Sequence, residues 1–294
     1  MAELIGVYNY LRHRKHFPTV WCSGCGIGTI TGGIMRAVNR VGYSKDDVAL
    51  ISGIGCSSRM PIYADFNTIH TTHGRALGFA TGVKLANPNL NVIVVSGDGD
   101  GLAIGGNHFI HAARRNMGIT FILINNYIYG MTGGQVSPTT PLDAYAYTAP
   151  YGSIDPPFDG VKLAMGAGAS YIARTTTYHV TQMIKYIEEA LQHKGFAFVE
   201  VMSQCPVIFG RLNGRKSPVQ MLQWFKEHAI PQAKYDALPD EKKEGMIPTG
   251  VFRNEKRAEY SDKYFDMVNK IRQQQNAEKF DASQTAIFKK ESKK

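Results

Sequence analysis

Five short runs along the chain are almost wholly apolar and stop at glycine, asparagine or another polar residue: residues 48–52, 91–97, 119–125, 170–174 and 196–201. Uninterrupted apolar runs of this length, rich in β-branched residues and bounded by turn residues, predict strands buried on both faces. Between them the pattern changes period. Ile30, Ile34, Ala37, Val38 and Val41 recur at helical spacing within residues 28–41, and residues 75–85, 103–115 and 180–192 carry the same signature. Strand alternating with helix implies right-handed crossovers and a parallel sheet. The expected fold is therefore α/β, an open mostly parallel sheet with helices on both faces. Ligands of such sheets lie beyond the carboxyl ends of the strands.

The rhythm breaks over residues 127–158, where Gly130, Gly133, Gly134, Pro138, Pro141, Pro150 and Gly152 fall close together. A loop that long inside a compact domain usually serves function or packs on a partner. After Pro206 the strand signals stop, and polar helices are expected over residues 220–228 and 254–274. This divides the chain into an α/β domain, 1–210, and a helical C-terminal extension with a basic tail, 211–294. The Lys-rich stretch from residue 273 is expected to be loose.

Composition adds exclusions. With 44% apolar and 19% charged residues, the 294-residue chain is globular rather than disordered. No run approaches the roughly 18 apolar residues of a membrane helix, and the first residues lack an apolar export segment, so a cytoplasmic protein is expected. The net charge is +9, and residues 211–294 hold 18 basic against 12 acidic side chains. Such a surface attracts acidic partners. No basic stripe interleaved with aromatics is present, so nucleic acid is not expected.

Candidate chemistry collects at the strand ends. Gly97-Asp-Gly-Asp100 follows the second run, and Asn125-Asn126 closes the third. Asp98 and Asn126 thus fall on one edge of adjacent strands. With the backbone carbonyl of Ile128 they supply three oxygens to Mg²⁺, which usually takes its remaining ligands from phosphates and water. A diphosphate would complete the shell. Glycines permit close backbone approach to it, and the following helix would point its amides at the same anion. Asp100 either joins this site or caps that helix.

The four cysteines are Cys22, Cys25, Cys56 and Cys205. A Cys-x-x-Cys pair in a cytoplasmic chain is more often a metal or redox site than a structural disulfide. Cys56 and Cys205 each follow a predicted parallel strand, on the edge that carries Asp98 and Asn126. Four thiolates suit either tetrahedral Zn²⁺ or an iron-sulfur cluster. Gly24, Gly26 and Gly55 beside them would let backbone N–H groups reach inorganic sulfide, which favours the cluster.

Trp21-Cys-Ser-Gly-Cys-Gly26, Gly53-Ile-Gly-Cys-Ser-Ser58, His73-Gly-Arg75, Gly97-Asp-Gly-Asp100, Asn125-Asn126 and Cys205 occur in one order over roughly residues 15–215. In that order they resemble the β subunits of 2-oxoacid:ferredoxin oxidoreductases. Gly105-Gly-Asn-His-Phe-Ile-His111 and Ile128-Tyr-Gly-Met-Thr-Gly-Gly-Gln135 resemble the 2-oxoglutarate branch most. The resemblance implies a thiamine diphosphate-binding fold holding thiamine diphosphate, Mg²⁺ and a [4Fe-4S] cluster. It implies Asp98, Asn126 and Ile128 on Mg²⁺ and the four cysteines on the cluster. Ile54, Gly55, Cys56, Ser57, His73, Gly97, Asp98, Gly99, Asp100, Asn126, Ile128 and Gly130 would line the thiamine site. Arg59 would meet the substrate carboxylate and His73 the reacting cofactor. Partners implied are an α subunit in a dimer of αβ pairs, ferredoxin, a 2-oxoacid and coenzyme A. The implied reaction converts 2-oxoglutarate to succinyl-CoA and CO₂ through a thiamine-bound radical, reducing two ferredoxins.

Thr132 and Gln135 are further candidates for lining the site or touching the α subunit, whereas His108 and His111 read as helix packing. Three other readings stay open: the same family acting on pyruvate or a range of 2-oxoacids, a non-redox thiamine enzyme, and a zinc-stabilised binding subunit without chemistry.

Overall fold

The protein is described by a computed structural model that covers residues 6–12 and 18–274. The tail expected to be loose lies, but for residues 273 and 274, outside the described residues. The main sheet has eight strands: β1 (Val48–Ser52), β2 (Asn67–His70), β3 (Asn91–Gly97), β4 (Ile119–Asn125), β7 (Tyr171–Thr176), β8 (Phe196–Met202), β9 (Ala229–Pro231) and β10 (Ile247–Asn254). Their order is β2-β1-β3-β4-β8-β7-β10-β9. Every neighbouring pair is parallel except β7 with β10. A separate two-stranded ribbon joins β5 (Ile128–Tyr129) to β6 (Gln135–Val136).

The period-2 alternation of the strands feeds two cores. Leu50, Ile93, Val95, Ile122, Ile124, Val199 and Val201 face the helices Ile27–Val41 and Val180–Gln192, with Ile30, Ile34 and Ile187 fully buried between. Ala49, Ile51, Val94, Phe121, Leu123 and Phe198 point the other way, onto the helices Ala76–Ala86, Gly106–Arg115 and Gly160–Gly166. Side chains of one strand alternate between faces, so a doubly covered sheet favours apolar residues at successive positions rather than at every second one.

Two expectations need correction. Strands do not stop after Pro206: β10 pairs antiparallel with β7, Val251 opposite Ala173 and Arg253 opposite Ile172, in the stretch between the two expected helices. Pro248 and Gly250 in this outer strand hide its signal. The last helix accordingly begins later, at Tyr260. Nor does the helix after β3 start at residue 103. Residues Gly99–Ile104 form a wider π-turn, closed by Gly105 N–H donating to the Asp100 carbonyl at 3.1 Å, and the α-helix begins at Gly106. Gly105 is required there, since a β-carbon would overlap the Asp100 carbonyl.

β1 and β3 are neighbours, but the chain leaves β1 toward β2 on the opposite side. The reversal opens a crevice beyond their carboxyl ends, where residues 53–56 and 97–100 meet.

Candidate active site

Two cavities adjoin at this crevice. The larger, about 210 Å³, is lined by all twelve residues expected at the thiamine site, from Ile54, Gly55, Cys56 and Ser57 through His73 and Gly97–Asp100 to Asn126, Ile128 and Gly130. The smaller, about 80 Å³, is lined by Cys22, Cys25, Cys56 and Cys205 together with Arg59. Cys56, Asn126 and Gly130 belong to the walls of both.

Asp98 is 3% exposed. Its Oδ2 accepts from Ser137 Oγ at 2.6 Å and Thr139 Oγ1 at 2.7 Å. Burial pushes its carboxyl up to about 6 although those hydroxyls pull the other way. A carboxylate in such a place is costly unless a cation compensates it. Asn126 and Ile128 share the cavity with it because the residue between them, Tyr127, takes φ 65°. That left-handed conformation costs a bulky residue about 1–3 kcal/mol. It is held by Tyr127 N–H donating to Asn125 Oδ1 at 3.2 Å and by Thr140 Oγ1 donating to the Tyr127 carbonyl at 2.6 Å. One carboxylate, one amide and one backbone carbonyl form a hard oxygen set that fits Mg²⁺.

Asp100 lines the same cavity but has both oxygens engaged. Oδ1 accepts from Ile54 N–H at 3.1 Å and Gly74 N–H at 2.7 Å and lies 2.8 Å from His73 Nδ1, and Oδ2 accepts from Ser96 Oγ. The side chain therefore ties the loops after β1 and β2 to the end of β3. Gly53 must lack a side chain, because a β-carbon would overlap the Asp100 carboxylate. With Nδ1 held by Asp100, His73 lines the cavity through the rest of its ring.

The cysteine loops are tied to one another as well. Cys25 N–H donates to the Cys22 carbonyl at 3.0 Å, Gly26 N–H to the Gln204 carbonyl at 3.2 Å, and Trp21 Nε1 to the Cys56 carbonyl at 2.7 Å. Gly24 and Gly26 are explained by close packing: a β-carbon would overlap Pro218 at the first and Ser203 and Gln204 at the second. A β-carbon on Gly130 would sit 3.8 Å from the sulfurs of both Cys56 and Cys205. Burial, reinforced by the neighbouring thiols, pushes Cys25 up to about 12 and Cys56 up to about 11, and burial raises Cys205 too. A bound cation would have to offset the cost of ionising these thiols. Among the described residues, no three His, Cys, Asp or Glu side chains converge closely enough to hold one metal ion.

Arg59 is exposed and borders the cysteine cavity, not the larger one. Thr132 lines the larger cavity, and Gln135 pairs with the Thr132 hydroxyl. Sequence reasoning missed Ser137, Thr139 and Thr140. Their only signal was a run of hydroxyls, Ser-Pro-Thr-Thr, in a long loop that follows the metal-type asparagine. No described helix is long and apolar enough to cross a membrane.

Comparison with known proteins agrees with this geometry. Residues 53–201 match the family of the thiamine pyrophosphate enzyme C-terminal TPP binding domain. The 2-oxoglutarate synthase subunit KorB of Methanothermobacter thermautotrophicus is 48% identical over 262 residues, 88% of this chain and 92% of that one. The 2-oxoacid:ferredoxin oxidoreductase 2 subunit beta of Aeropyrum pernix is 44% identical over 198 residues, 67% of this chain and 64% of that one. Among solved structures, a 2-oxoglutarate:ferredoxin oxidoreductase from Magnetococcus marinus with 2-oxoglutarate, coenzyme A and succinyl-CoA bound has TM-score 0.80 at 33% identity, covering 95% of this chain and 94% of that one. At that identity and coverage, and with a thiamine pyrophosphate-binding domain at its centre, the chain belongs to the β subunits of the 2-oxoacid:ferredoxin oxidoreductases.

Proposed function

We propose that the chain is the β subunit of a 2-oxoglutarate:ferredoxin oxidoreductase. With an α chain it would convert 2-oxoglutarate and coenzyme A to succinyl-CoA and CO₂ while two ferredoxins are reduced. The observation that carries this reading is the shared wall: a buried carboxylate–amide–carbonyl set and four cysteines open onto adjoining cavities through Cys56, Asn126 and Gly130.

Asp98, Asn126 and the Ile128 carbonyl would hold Mg²⁺, and Gly55, Ser57, Gly97 and Gly99 would admit the diphosphate. Cys22, Cys25, Cys56 and Cys205 would hold a [4Fe-4S] cluster. When bound, thiamine diphosphate supplies the electron sink for decarboxylating a 2-oxoacid, and the cluster supplies an acceptor for the electrons. Asp98 brings negative charge to the cation. His73, its Nδ1 fixed by Asp100, presents Nε2 as a proton donor or acceptor beside the cavity. Arg59, on the rim, suits the carboxylate of an anionic substrate. A cluster rather than zinc suits a chain whose relatives are named as ferredoxin oxidoreductases, since zinc carries no electrons. The 2-oxoglutarate preference rests on the relatives' names and on the ligands of the Magnetococcus complex.

The test is anaerobic co-purification with the α chain, iron and sulfide analysis, and spectra before and after adding 2-oxoglutarate with coenzyme A. About four irons per β chain, bleached by substrate and lost in Cys205→Ser, are expected. Zinc, or a colourless loaded protein, would overturn the redox reading. A cluster bleached by pyruvate but not by 2-oxoglutarate would move the substrate assignment within the family.

A further inference from the structure

We infer that the turn at residues 137–140 is a positioning device for the divalent cation, with Ser137 and Thr139 fixing the Asp98 carboxylate and Thr140 fixing the Asn126–Ile128 pair. The inference rests on the proposed assignment of Asp98, Asn126 and Ile128 to the cation, and adds to it the residues that determine how they are presented.

Three observations support it. Both hydroxyl bonds to Asp98 go to one oxygen, Oδ2. Two hydroxyl donors on one oxygen fix the carboxylate's rotation and leave Oδ1 without a side-chain donor. The same turn reaches the other ligands: Thr140 Oγ1 bonds the carbonyl of Tyr127, the residue whose left-handed backbone lies between Asn126 and Ile128. The turn is closed on itself by Ser137 N–H donating to Thr140 Oγ1 at 2.8 Å and Thr140 N–H donating to the Ser137 carbonyl at 3.1 Å. Ser137, Thr139 and Thr140 are 3%, 2% and 1% exposed, which removes their hydroxyls from competition with water.

The turn is in turn braced from the sheet. Thr139 Oγ1 lies 2.9 Å from Asn125 Oδ1, the alternative acceptor for the one proton it gives Asp98, and Asn125 Nδ2 donates to Glu200 Oε1 at 2.9 Å. Glu200 Oε2 accepts from Arg174 Nε at 2.7 Å, and the same guanidinium bonds Asp159. A chain of buried polar groups thus runs from the cation site through β4, β8 and β7. Groups behind metal ligands orient them, and removing one typically weakens metal binding by about 10–100-fold.

The experiment uses the complex co-purified with its α chain, stripped with chelator and titrated with Mg²⁺ at saturating thiamine diphosphate. Calorimetry or retained thiamine diphosphate reads the half-saturating Mg²⁺ concentration. Thr139→Val should raise it about 10-fold or more, and Thr139→Ser, which keeps the hydroxyl, should stay within about twofold of wild type. Ser137→Ala should shift it in the same direction. Absorbance of the iron cofactor serves as the control for folding. If Thr139→Val fails to assemble, Ser137→Ala decides the question. Unchanged Mg²⁺ dependence in the hydroxyl-deleting variants, with binding lost in Asp98→Asn, would overturn the inference. Unchanged dependence in Asp98→Asn itself would instead overturn the cation assignment beneath it.

Discussion

Replacing Asp100 tests how the thiamine cavity is assembled. Its Oδ1 gathers Ile54 N–H, Gly74 N–H and His73 Nδ1, and its Oδ2 takes the Ser96 hydroxyl. In Asp100→Asn the amide nitrogen can take the Oδ2 place and donate to Ser96, whose hydroxyl also accepts. Three bonds to Oδ1 remain but lose charge assistance. Charged hydrogen bonds contribute about 1.5–3 kcal/mol and neutral ones about 0.5–1.5, so each weakens by about 1 kcal/mol. Coupling within the cluster keeps the sum to about 2–3 kcal/mol, a factor of roughly 30–150 in a local opening equilibrium. Asp100→Ala leaves the same donors without an acceptor and should cost about 4 kcal/mol or more. The assay is hydrogen exchange of peptides containing Ile54 and Gly74 in the assembled complex, with thiamine diphosphate affinity measured in parallel. Both amides should exchange at least about 30-fold faster in Asp100→Asn, while the interior of β3 stays protected. Wild-type exchange at both amides in Asp100→Ala would refute the argument. A shift confined to Mg²⁺ dependence would make Asp100 a cation ligand instead.

Glu200→Gln, which removes one of the two carboxylates on the buried Arg174, should lower the unfolding free energy by about 1.5–3 kcal/mol; an unchanged denaturant midpoint would contradict that. Gly99→Ala would drive a β-carbon into the Tyr129 ring, so thiamine diphosphate retained after gel filtration should fall sharply while cluster absorbance persists. Burial pushes the Asp159 carboxyl up, but the Arg174 guanidinium and the Lys162 amide outweigh it and hold it below the usual range. A depressed folded value means stability that is present above the unfolded carboxyl value near 4 and lost as pH falls through the folded one. Stability measured between about pH 5 and 3 should therefore fall less steeply in Asp159→Asn than in wild type. Because Cys25 and Cys56 are protonated at neutral pH, anaerobic cluster reconstitution should release protons and proceed better as pH rises, followed with an indicator dye.

The sequence made visible whatever the sheet's geometry dictates. β1, β3, β4, β7 and β8 are covered on both faces, so each appears as a largely apolar run, and the groups at their carboxyl ends are placed by the strands themselves. That is why the order of runs and turns along the chain suffices to put Asp98, Asn126, Cys56 and Cys205 on one edge. β2 and β10 escaped for the opposite reason. Asn67–His70 is a partly exposed edge strand with polar residues, and β10 carries Pro248 and Gly250 and is exposed along part of its length, so neither needs the apolar run that marks a strand. Asp100 was visible as a carboxylate but not as an anchor, because its partners lie on loops 27 and 46 residues away.

Ser137, Thr139 and Thr140 were the least visible of all, and the reason bears on how such sites are built. Hydroxyls in a glycine- and proline-rich loop carry no period, and Ser137 and Thr139 act on Asp98 across 39 and 41 residues of sequence. Yet a buried hydroxyl must find a partner. On this turn the available partners are the Asp98 carboxylate, the Tyr127 carbonyl and Asn125, all at the ends of the strands that bound the cavity. The stretch with the weakest sequence pattern is thus held by the groups with the strongest one, and its burial follows from theirs. Removing a hydroxyl should consequently be felt first at the cation and only afterwards in the stability of the loop.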